Sequence, residues 1–104
     1  MAHIGDTADF PGDGTYPVTL DGMPLLVVRR AEAFFVYMNR CPHTRESLDP
    51  MGGSVLSADG LLLECQRHAA QFITETGECV GGPCPGEFLE ALPCIVSAGG
   101  LYLD

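Results

Sequence analysis

Two short half-sites, far apart in the chain, constrain its folding more than any other feature. The first reads Cys41-Pro42-His43, and the second, after 21 intervening residues, reads Cys65-Gln66-Arg67-His68. Each offers one thiolate and one imidazole, the side chains that bind zinc and iron best, from a stretch short enough to be a single turn. Two such turns side by side make a four-ligand cage, so the fold must carry both to one place. Equal numbers of Cys and His also permit an uneven division, with two thiolates on one metal and two imidazoles on a bridged second one. A single tetrahedral zinc uses the same four groups, and ligand counts do not separate the two cases.

A chain of 104 residues has room for one hydrophobic core, so residues 1–104 are expected to form one domain. Its 46% hydrophobic content, 13 glycines and 8 prolines describe a folded, turn-rich protein rather than a disordered one. A metal centre supplies the staple that small chains often need. No apolar run approaches the roughly 20 residues of a membrane span. The first thirteen residues lack the basic-then-apolar pattern of an export signal. A cytoplasmic location without a membrane partner is therefore expected. The formal charge of −9, with five arginines and no lysine, argues against nucleic acid as a ligand. It suits a basic partner surface, although many acidic surfaces serve only solubility.

The five cysteines are Cys41, Cys65, Cys79, Cys84 and Cys94. An odd count with no export signal disfavours a disulfide framework. With Cys41 and Cys65 as ligands, the other three are expected to be small buried apolar residues. A Cys79–Cys84 bridge is the less favoured alternative in a reducing compartment.

Strand patterns recur at 15–20, 24–30, 34–38, 61–64, 71–73, 78–80, 88–92, 94–97 and 101–103. Turns fall at Asp21-Gly22, Ala31-Glu32, Asp59-Gly60, Thr76-Gly77 and Gly99-Gly100. Residues 1–14 look like a loose polar arm carrying a solvated His3, and 45–49 like one helical turn. The Gly/Pro-rich stretch 81–86 fits only a loop. The fold class is all-β, with short strands and frequent turns.

The C-P-H and C-x-x-H half-sites, Phe72 four residues after His68, and Thr76-Gly77 followed by the Gly82-Pro83 loop resemble the Rieske [2Fe–2S] family. The similarity to its small soluble ferredoxins covers roughly residues 34–92. It implies an antiparallel β-sandwich whose cluster-binding subdomain has two hairpin loops and a covering Gly-Pro loop. It also implies Cys41 and Cys65 on the buried iron and His43 and His68 on the outer one. Leu48, Phe72 and Pro83 would exclude water. The implied function is one-electron transfer from a flavoprotein reductase to a terminal acceptor such as an oxygenase, with no catalysis by the chain itself.

Several positions depart from the family pattern. Ala69 stands where a Gly usually follows the second His, and a positive φ there would strain it. Gln66 replaces a common Pro. The interval between the half-sites is a few residues longer than usual, with the excess placed at 51–58. High-potential relatives carry an extra disulfide between the loops; the matching positions here, Glu46 and Arg67, allow an ion pair instead, although two separately solvated side chains are the favoured reading. Those relatives also donate hydroxyls to sulfur from positions held here by Ala70 and Phe72, so a potential in the lower half of the family range is expected. Arg40, Arg45 and Arg67 flank the ligands. The alternatives are a structural zinc module and a cluster-based sensor or assembly subunit. No Ser-His-Asp arrangement or phosphate-binding glycine motif supports an enzyme.

Overall fold

The computed structural model describes residues 2–42, 45–67, 69–82 and 86–104. Three antiparallel sheets account for its regular structure. The strands β2 (Gly14–Leu20), β3 (Met23–Arg30) and β4 (Ala33–Met38) form a meander, and the two-residue β8 (Ala91–Leu92) extends it beside β4. A second sheet joins β1 (Ala2–Asp6), β10 (Gly100–Leu103) and β9 (Cys94–Ser97), in that order. The third holds β5 (Leu62–Glu64), β6 (Gln71–Ile73) and β7 (Cys79–Gly81). The one helical element among the described residues is a 3-10 turn, Thr7–Asp9. No helix among them is long and apolar enough to cross a membrane.

The meander sheet is buried on both faces, which explains the unbroken apolar run along β3. Side chains alternate across a strand with period two. Leu26 and Val28 join Tyr37 of β4 in one core, together with Cys41, Leu48, Leu63, Cys65 and Phe72. Leu25 and Val27 join Val36 and Met38 in another, against Ile4, Phe10 and Leu101. The meander thus forms a middle layer between the β1-β10-β9 sheet and the loops that carry the half-sites.

Tight turns set the registers. Asp21 and Gly22 both have positive φ, 49° and 80°, as a two-residue hairpin between paired Leu20 and Met23 requires. The final hairpin turns one residue earlier than the Gly99-Gly100 pair suggests. Ala98 and Gly99 take the positive φ values, and Gly100 already pairs with Ser97. A Cβ on Gly100 would lie 2.8 Å from Cε1 of Tyr102, so the tyrosine ring lies over this glycine and would have to shift for a larger residue.

Three expectations are corrected. Residues 1–14 are no loose arm: β1 pairs along β10, Ile4 and Phe10 are buried, and Arg29 donates to the Phe10 carbonyl at 2.7 Å. Residues 45–49 form no helical turn. Arg45 has φ 63°, and Pro50 disfavours helical backbone at Asp49. The 88–92 strand shrinks to β8 because this segment changes partners midway. Leu89 donates its N–H to Gly77 on one side, whereas Glu90 accepts from Met38 on the other.

Candidate metal centre

The two half-sites fold into loops of the same backbone design. Cys41 donates its N–H to the Glu46 carbonyl at 2.7 Å and accepts from the Arg45 N–H at 2.7 Å. Cys65 donates to the Ala70 carbonyl at 2.9 Å and accepts from the Ala69 N–H at 3.1 Å. In both loops the fourth residue after the cysteine closes the turn in left-handed backbone, Arg45 at φ 63° and Ala69 at φ 54°. The positive φ suspected at Ala69 is therefore present, and Arg45 shares it.

Shared struts hold the two loops in register. Asn39, just before the first loop, accepts the Leu48 N–H on its Oδ1 at 2.9 Å and donates from Nδ2 to Asp49 at 2.8 Å. The Leu48 carbonyl in turn accepts the N–H of Gln66 in the second loop at 3.0 Å. Gln66 also binds the intervening stretch through its side chain. Oε1 accepts from the Met51 N–H at 2.9 Å, and Nε2 donates to the Gly52 carbonyl at 2.7 Å. Replacement of proline by Gln66 thus coincides with support for the stretch that lengthens the interval. At the rim, Arg67 Nη1 donates to Glu46 Oε2 at 2.5 Å, so the two charges pair across the loops instead of standing separately in solvent. Asn39 was missed in the sequence. Its only signal was an amide side chain at the end of an apolar strand.

Cys41 and Cys65 are 0% and 2% exposed and belong to one core with Leu48, Ala70 and Phe72. His43 and His68, the other two expected ligands, lie outside the described residues, as do Pro83 and Cys84. Among the described residues no three potential metal ligands converge. Gly82 has φ +84°, and a Cβ there would lie 2.7 Å from Ala70 Cα, so the backbone at Gly82 packs directly against the second half-site. Among the remaining thiols, Cys79 is buried and directs Sγ to the Gly81 carbonyl at 3.2 Å. Burial pushes the Cys94 thiol upward from its ordinary range, which disfavours the reactive thiolate. Beside the first loop, Met38, Arg40, Cys41, Pro42, Arg45, Phe88 and Glu90 line a cleft of about 230 Å³.

Two buried thiols on matched, mutually braced turns, each with a histidine close in sequence, have the donor chemistry for bridged iron. A layered antiparallel protein presenting such turns belongs to the class of small β-fold metalloproteins that clamp a centre between two loops. The profile of the Rieske [2Fe-2S] domain matches residues 1–95, and the chain belongs to that family. Its cofactor is accordingly a [2Fe–2S] cluster rather than a single zinc. Similar solved structures include the ferredoxin of carbazole 1,9a-dioxygenase from Nocardioides aromaticivorans IC177. It is 24% identical with TM-score 0.83, over 98% of this chain and 94% of that one, and shows the same fold. A chain in the complex of reduced oxygenase and oxidized ferredoxin in carbazole 1,9a-dioxygenase is 25% identical with TM-score 0.80, over 98% and 99%. The Sphingomonas yanoikuyae B1 ferredoxin is 26% identical with TM-score 0.79, over 98% and 95%. No curated protein sequence matches the chain.

Proposed function

We propose that this chain is a Rieske-type ferredoxin, a one-electron carrier between a flavoprotein reductase and a terminal oxygenase. Cys41 and Cys65 would hold one iron and His43 and His68 the other. The observation that carries this is the pair of equivalent loops, each presenting a buried thiol from a fixed turn. When bound, the cluster supplies a centre that gains and loses one electron. The chain's task is to keep its own atoms still while that happens. The braced backbone of both loops limits reorganisation, and Leu48, Ala70 and Phe72, all fully buried, keep water from the thiols. An oxygenase as acceptor follows from the structural neighbour in which a reduced oxygenase and an oxidized ferredoxin form a complex. The −9 charge argues for protein partners over nucleic acid. Residues 1–104 would act as one domain, working in the cytoplasm.

Electron paramagnetic resonance of the dithionite-reduced protein tests the assignment, together with iron and acid-labile sulfide analysis. A rhombic signal of a mixed-ligand two-iron centre is expected, lost in Cys65→Ser. Air-free protein with no sulfide and no reducible signal would refute it.

A further inference from the structure

The protein's uncommitted positive charge lies in one place. Arg29 donates to the Phe10 and Ala31 carbonyls and stacks on Phe34. Arg30 pairs with Glu75 and stacks on Phe35, and Arg67 pairs with Glu46. The side chains of Arg40 and Arg45 make no hydrogen bond or ion pair with the described residues, and both are exposed. They line the same cleft beside Cys41, where Phe88, 56% exposed, supplies an apolar wall and Glu90 the single opposing charge. Their backbones are fixed. Arg45 donates its N–H to the Cys41 carbonyl and Arg40 to that of Met38, and Phe88 bridges to Glu78. In a chain of net charge −9, this leaves a locally cationic cleft against the first cluster loop.

We infer that the Arg40–Arg45–Phe88 cleft docks a carboxylate side chain of the redox partner, so that contact at the cluster end is made through this protein's positive charge despite its acidic total. This rests on the carrier function proposed above. A guanidinium group suits a carboxylate through charge-assisted, bidentate hydrogen bonds, and two arginines line this cleft. An adjoining exposed ring with arginine is the usual make-up of an interface anchor. At about 230 Å³ the cleft falls below the several hundred Å³ of a typical cofactor pocket and suits one or two side chains.

The test uses the reduced holoprotein with two outer-sphere oxidants, anionic ferricyanide and cationic hexaammineruthenium(III), each taking one electron. Rates are followed between about 0.1 and 0.5 M ionic strength, where screening confines interactions to roughly 10 Å or less. The net charge alone makes the ferricyanide rate rise with salt; the cleft makes it fall. Arg40→Gln/Arg45→Gln should slow ferricyanide by roughly three- to tenfold without slowing the ruthenium complex. An acetylated glutamate-leucine-glutamate amide should inhibit the ferricyanide reaction more than phosphate at equal ionic strength. A wild-type ferricyanide rate that rises with salt overturns the inference, and so does a double variant that retains full rate. Equal inhibition by phosphate and peptide overturns the docking role and leaves a simple anion site. The salt dependence needs no variant, and the resonance signal of the wild type separately tests the carrier function.

Discussion

Ala69 closes the second cluster loop at φ 54°, a backbone region that costs an alanine about 1–2 kcal/mol and a glycine almost nothing. Glycine also gains freedom in the unfolded chain, which returns about 0.4–1 kcal/mol of that advantage. The strain is the larger effect, so Ala69→Gly should stabilise the holoprotein by about 0.5–1 kcal/mol. A urea midpoint that falls instead would show the strain to be absorbed elsewhere. One and three residues further on, Ala70 and Phe72 are both completely buried and neither has a hydroxyl to donate. The midpoint potential should therefore lie in the lower half of the roughly −150 to +300 mV range of Rieske centres. Protein-film voltammetry giving a value above about +200 mV would contradict this. Both positions were legible in the sequence because they are counted from His68. The equal conformation of Arg45 was not, since nothing in its side chain calls for positive φ.

At the scale of elements, the two loops depend on contacts that spacing does not reveal. The loop positions raise a Glu46–Arg67 pair but favour two separately solvated side chains; the structure has the pair, at 2.5 Å, with both side chains about half exposed. Such a pair contributes about 0–1 kcal/mol, so a double-mutant cycle with alanine should give a coupling near 0.5 kcal/mol that shrinks in high salt. Gln66 contributes more, with two side-chain hydrogen bonds to the 51–52 backbone. At about 0.5–1.5 kcal/mol each, their loss in Gln66→Ala should lower stability by about 1–2 kcal/mol. Hydrogen exchange should quicken at Met51 before it does in β3. The hairpins were readable because Asp-Gly pairs and alternating apolar residues are local signals. β1 was not, because its partner β10 lies about a hundred residues away and its own segment is polar and glycine-interrupted. The same limit hid the cleft, whose Phe88 and Glu90 reach Arg40 and Arg45 only through the tertiary fold.

Across the whole molecule, Tyr37 links the meander layer to the cluster-bearing side. Its ring is 2% exposed, its hydroxyl donates to the Thr74 carbonyl at 2.6 Å, and the Gly77 turn packs against its edge. Burial, with smaller contributions from Cys94 and Glu75, pushes its pKa from 10.0 up to about 12. A phenol whose pKa is raised by folding holds its proton more tightly in the native state. Its contribution is fully present below pH ~10 and is lost as pH rises through about 12, amounting to about 2–3 kcal/mol in all. Tyr37→Phe removes both the hydrogen bond and the titration. At pH 8 the variant should be less stable by about 1–3 kcal/mol, because the buried Thr74 carbonyl loses its donor. Between pH 10 and 12 the wild type alone has a proton to lose at this position, so the gap between their urea midpoints should close. A gap that stays constant to pH 12 would mean that the native state tolerates the phenolate and that the two layers are not joined through a protonated hydroxyl.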